Sequence, residues 1–139
     1  IDSIMFHHIG YAVRNNKISK DAFRTLGVNF FHTSDDVGRN LHFDFGEISG
    51  TIIELVSPLN DGKKCDVTNI VNKQPCTPYH VCFETEDIEN TVAFLKGKRF
   101  RPMMNIEISD VYGYKAKGVF MYSKAIGLIE VIEKSEKYE

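Results

Sequence analysis

The sequence predicts an α+β domain built as two βαβββ modules, and three observations carry that expectation. Two runs rich in aromatic and β-branched residues, Ile4 to Val13 and Tyr79 to Thr85, have the composition of half-buried strands. Each is followed by a short stretch whose apolar residues recur at helical spacing. Further strand-like runs come after each, so the order strand, helix, strand, strand, strand occurs twice, in residues 4–57 and 78–133. At 139 residues and 15.9 kDa the chain has the size of one domain, taken as residues 1–139. A chain of this length buries roughly 68% of the surface its unfolded form exposes, so it needs no disulfide staples.

The elements follow in order. After the first strand, Ile18, Ala22 and Leu26 mark a helix that Gly27 stops. Asn40 to Gly46 alternates, with Asn40, His42 and Asp44 on one face and Leu41, Phe43 and Phe45 on the other. Thr51 to Val56 is a further strand, ended by Pro58. Residues 58–77 carry Pro58, Asn60, Asp61, Gly62, Pro75 and Pro78 just beyond, the composition of a linker between modules. In the second module Asp87 is the N-cap of a helix marked by Ile88, Val92 and Leu95, with Gly97 at its end. Gly118 to Tyr122 and Leu128 to Ile132 repeat the later strands.

Composition narrows the function. Lys and Arg total 17 against 19 Asp and Glu, a net charge of −2 with no basic run, which argues against a nucleic-acid binder. No apolar run approaches the roughly 20 residues of a membrane helix. Three cysteines, Cys65, Cys76 and Cys82, with no secretory segment before them, fit reduced thiols and a cytoplasmic location.

The repeat also duplicates chemistry. His8 before I-G-Y-A-V matches His80 before V-C-F-E-T, and Glu54 in T-I-I-E-L-V-S matches Glu130 in G-L-I-E-V-I-E. A carboxylate amid Ile and Leu in a buried strand is costly unless a cation or strong donors meet it. One strand His is ordinarily a hydrogen-bonded core residue, and one such Glu an exposed strand position. Four repeat-equivalent coincidences are not so explained. Two imidazoles and two carboxylates form an N₂O₂ set suited to a divalent ion such as Zn, Co, Mn, Ni or Fe, and unlike a Cys-rich structural zinc site. His42 and Asp44 share a strand face and are candidates for a second acid/base. His7 and His32 are expected bystanders, Cys82 a small core filler, and Lys115, Lys117 and Lys124 solvated charges.

The chain resembles the vicinal oxygen chelate superfamily, which holds glyoxalase I, methylmalonyl-CoA epimerase, extradiol dioxygenases and bleomycin-resistance proteins. The marks are H-H-I-G-Y-A-V at 7–13, T-I-I-E-L-V-S-P-L at 51–59, P-Y-H-V-C-F-E-T-E-D-I-E at 78–89 and G-L-I-E-V-I-E at 127–133. The resemblance implies two βαβββ modules forming an open, barrel-like mixed sheet around a metal site, with His8, Glu54, His80 and Glu130 as ligands. It implies a metal-dependent enzyme moving a proton next to a chelated carbonyl, closest to the epimerase branch, with Glu130 as base and His42 or Asp44 in the cavity. A lactoylglutathione lyase is the alternative and a metal-free binding protein a second one. Extradiol cleavage ranks below them, because Glu54 would fill a position that catechol and O₂ need. The expected partner is a small molecule, an acyl thioester or a hemithioacetal, with a second copy of the chain as the remaining candidate.

Overall fold

A computed structural model describes residues 4–137, with side chains through residue 133. The elements are those of an α+β chain with two modules, the first βαβββ and the second the same with one additional two-residue strand after its helix. Contacts divide the described residues into two units, one of residues 8–79 and one of residues 80–137 together with residues 4–7.

In the first module, β1 (Met5–Val13), β2 (Asn29–Asp36), β3 (Leu41–Ile48) and β4 (Thr51–Pro58) form a mixed sheet. Pairs β2–β3 and β3–β4 are antiparallel, whereas β1 and β4 run parallel, with Gly10 opposite Glu54. Helix α1 (Asn16–Thr25) starts where the Asn15 side chain accepts from the Ile18 N–H at 3.1 Å, and Gly27, at φ +101°, ends the turn after it. The expected apolar stripe faces outward: Ile18 and Leu26 are 67% and 72% exposed. The inward positions are Asn16, Ser19, Lys20 and Phe23, at i, i+3, i+4 and i+7. Their polarity has a cause. This helix covers the buried carboxylate of Asp44, so its inner face carries donors.

The connection 58–77 is more than a linker. It contains α2 (Thr68–Lys73), and Val67 and Val71 join Ala12, Leu41 and Val56 in the core of this module. Val56 lies two residues beyond Glu54 and Ala12 four beyond His8, so α2 packs on the sheet face that bears both.

The second module holds β5 (Cys76–Glu84), α3 (Ile88–Lys96), β6 (Arg101–Pro102), β7 (Glu107–Val111), β8 (Tyr114–Ser123) and β9 (Gly127–Lys137). Strand β9 is parallel to β5 and antiparallel to β8, and β8 also pairs with β6 and β7. Asp87 caps α3 by accepting from the Asn90 N–H at 3.1 Å. Here the apolar stripe does turn inward. Ile88, Val92 and Leu95 pack on Val119, Met121, Ile129 and Val131. That contact commits one face of β8 and β9 to the core and leaves Phe120 and Glu130 on the other.

Candidate functional site

Each module carries one His–Glu pair. In the first, alternation from the Gly10–Glu54 register places His8 and Glu54 on the same face of neighbouring strands. His8 Nε2 lies 3.3 Å from Glu54 Oε1, and both residues are buried. In the second, His80 Nε2 lies 3.3 Å from Glu130 Oε1, with His80 buried and the Glu130 side chain 16% exposed. The same atoms meet at the same distance, and in both cases across a parallel strand pair.

An aromatic ring braces each imidazole. Phe45 stands edge-on to His8, with centroids 5.9 Å apart at 90°, and Phe120 stands edge-on to His80, at 5.2 Å and 87°. The backbone beside Glu130 is also close: a Cβ on Gly118 would come within 3.8 Å of Glu130 Oε2.

The donor set and its spacing fit a divalent metal. Imidazole nitrogen and carboxylate oxygen each bind such an ion at about 2.1 Å. Two donors at that distance, subtending about 90–110° at the ion, are separated by about 3.0–3.4 Å. The two 3.3 Å separations match, and the burial of the carboxylates suits a site that compensates them with a cation.

His42 and Asp44 fall elsewhere. The pairing of Phe45 with Glu54, and of Asp44 with Leu55, puts Asp44 and His42 on the opposite face of β3 from the Glu54 side. There Asp44, with no exposed surface, accepts from Lys20 Nζ at 3.1 Å and Asn16 Nδ2 at 3.3 Å, both on α1. His42 bridges two carboxylates, with Nδ1 2.5 Å from Asp35 Oδ1 and Nε2 3.0 Å from Asp44 Oδ2. The expectation that these two face the cavity is therefore corrected. Asp44 fastens α1 to the sheet, and His42 holds the Asp44 carboxylate.

His32, expected as a bystander, lies in β2. A bulge between Phe30 and His32 shifts the pairing so that His32 lies opposite Phe45, itself opposite Glu54. The rings of His32 and Phe45 touch, 6.2 Å between centroids at 54°. His32 is thus on the Glu54 face.

The remaining residues sort simply. Cys82 is fully buried, as a core filler should be, and no disulfide forms among the described residues. Lys117 lies 3.5 Å from Glu89 and 3.6 Å from Glu133, and both carboxylates hold its ammonium above the usual lysine range. His7 is engaged by Tyr112, whose hydroxyl lies 2.9 Å from His7 Nε2. Burial, with Glu84 next, pushes the Tyr112 phenol up to about 12.

Residues 7–118 match the family model described as the Glyoxalase/Bleomycin resistance protein/Dioxygenase superfamily. The chain belongs to that superfamily. Among solved structures, a hypothetical protein of Bacillus halodurans shares 22% identity, with 99% of each chain covered and a TM-score of 0.82. The methylmalonyl-CoA epimerase of Mycobacterium tuberculosis shares 16% identity over 94% of this chain and 88% of that one, with a TM-score of 0.78. A variant of the Streptomyces coelicolor epimerase, bound to 2-nitronate-propionyl-CoA, shares 18% over 99% of each chain, with a TM-score of 0.81. At these identities the likeness is one of fold. No curated protein sequence matches the chain. Among the described residues no helix is long and apolar enough to cross a membrane.

Proposed function

We propose that this chain is a divalent-metal-dependent enzyme that moves a proton at the carbon next to the carbonyl of a small acyl thioester, in the manner of methylmalonyl-CoA epimerase. His8, Glu54, His80 and Glu130 hold the ion, which is Zn, Co, Mn or Ni. The observation that supports this reading is the duplicated His–Glu pair, buried and spaced at 3.3 Å in each module. When bound, the ion supplies Lewis acidity toward a carbonyl oxygen, which acidifies the neighbouring carbon. Glu130 takes the proton. Its side chain is the more exposed of the two carboxylates, 16% against 10% for Glu54, so it has the freer access to substrate. Phe45 and Phe120 hold the imidazoles and keep water from their flanks.

One observation favours a second reading, a lyase acting on a hemithioacetal. The β3 residues that share the Glu54 face are Leu41, Phe43, Phe45 and Glu47, and Glu47 Oε1 is held by the Gly50 N–H at 2.6 Å. β3 therefore offers no spare base there, which suits a reaction in which one base both takes and returns the proton.

The experiment has two parts. Elemental analysis of protein prepared without chelator should find about one divalent ion per chain. Metal-loaded protein in D2O should place deuterium at the α-carbon of methylmalonyl-CoA, whereas loss of hemithioacetal absorbance would move the assignment to the lyase. Protein that takes up no divalent ion when ions are supplied overturns both readings and favours a metal-free binding protein.

A further inference from the structure

We propose that His32 is the second proton-transfer group of this site, the one that returns a proton to the carbon when its configuration inverts. The inference rests on the proton-transfer reading, since without that reaction there is no proton to return. Epimerisation needs a donor besides the base that removed the proton, because one rigidly held group reprotonates the side it deprotonated. His42 and Asp44 do not serve, being turned toward α1. His32 does meet the requirements, all within the first module.

The requirements are face, distance and availability. The registers place His32, Phe45 and Glu54 in one row across β2, β3 and β4. Two strand spacings of about 4.8 Å put the His32 and Glu54 backbones roughly 10 Å apart with Phe45 on the strand between them, so a small acyl group that reaches both lies over the Phe45 ring. Phe45 touches both the His32 and the His8 rings, so it forms a wall shared by the metal ligand and the second imidazole. Among the described residues neither His32 nitrogen makes a hydrogen bond, in contrast to His42, whose two nitrogens face Asp35 and Asp44. The ring is half-buried and fixed by Phe45, yet its donor and acceptor are uncommitted. A general acid/base needs that state before substrate arrives. The bulge that turns His32 to this face is a device common beside active sites.

The test uses metal-loaded wild type, His32→Gln and His32→Ala, each given the separate 2R and 2S forms of methylmalonyl-CoA in D2O. Epimerisation should fall by about a hundredfold or more in both variants, the span that one general acid/base contributes. One stereoisomer should still exchange its α-proton without inverting, because the first base is untouched. Added imidazole should restore part of the rate to His32→Ala. Metal content should match wild type in both variants.

Epimerisation within about threefold of wild type in both variants overturns the assignment and leaves the metal and the reaction standing. A parallel loss of exchange and epimerisation, with no rescue by imidazole, overturns it too, since that is the mark of a structural role. Metal-loaded wild type that exchanges neither stereoisomer removes the epimerase reading, and the role of His32 falls with it.

Discussion

Asp44→Asn should cost stability and leave proton transfer intact, and the size of the loss follows from what surrounds the carboxylate. Asp44 has no exposed surface, and its oxygens meet Lys20, Asn16 and His42. The substitution keeps the shape and removes the charge, which leaves the Lys20 ammonium facing a neutral amide. Breaking a fully buried ion pair costs about 3–5 kcal/mol, and one charged hydrogen bond about 1.5–3. The Lys20 side chain keeps 20% of its exposure and can recover some water, so the expected loss lies between these, at about 2–4 kcal/mol. With a urea slope near 2 kcal/mol per molar, the unfolding midpoint should drop by about 1–2 M. Adding Lys20→Met should recover about 1–2 kcal/mol of the loss, because it removes the stranded ammonium. Two results would refute the reasoning. A midpoint within about 0.3 M of wild type would mean that the network does not fasten α1. Unchanged stability with lost α-proton exchange would mean that Asp44 does act on substrate.

Other perturbations test the remaining links. His80→Ala and Glu130→Gln should each weaken divalent-ion binding by more than the roughly 10–100-fold that loss of an outer partner costs, read by competition with a metal indicator. Gly46→Ala should destabilise by about 1–3 kcal/mol in urea, since its Cβ would meet Val28 Cγ1 at 2.5 Å and two Phe30 ring atoms at 3.0 Å. Tyr112 gives a pH dependence: folding raises its phenol from 10.0 to about 12, so the folded state holds the proton longer. That contribution is complete below pH 10 and is lost as pH climbs toward 12, so wild-type stability should fall more steeply over that window than that of Tyr112→Phe.

The sequence made the repeat, the strand order and the His–Glu pairs legible, because strand composition and the residues flanking each pair are local properties. Helix α3 was legible for the same reason, its apolar positions being the ones that pack. Helix α1 was legible as a helix and misleading as a face. Its apolar stripe is exposed, and its inner face is polar because a carboxylate on another strand requires donors. The short α2 was hidden in a polar connection, where two valines are too few to signal a helix.

The faces of β3 and β2 were the hardest to read, for a geometric reason. Alternation in β3 separates His42 and Asp44 from Phe43 and Phe45, but period two says nothing about which set looks toward His8. Burial offered no help, since Phe45 and Asp44 are equally buried, one beside an imidazole and the other beneath α1. In β2 a single backbone irregularity decides the matter. Phe30 pairs with Gly46, so an unbroken ladder would set His32 opposite Asp44, on the helix side. The extra residue at the bulge sets it opposite Phe45 instead, and a one-residue change of register moves a side chain across the sheet. Deleting Phe31 removes the extra residue and leaves His32 opposite Phe45 in an unbroken ladder, so the deletion variant should still invert the carbon, within about tenfold of wild type, where His32→Gln does not. A deletion variant that stays folded and keeps its metal but no longer inverts the carbon would show that facing Phe45 is not enough to make His32 the group that returns the proton.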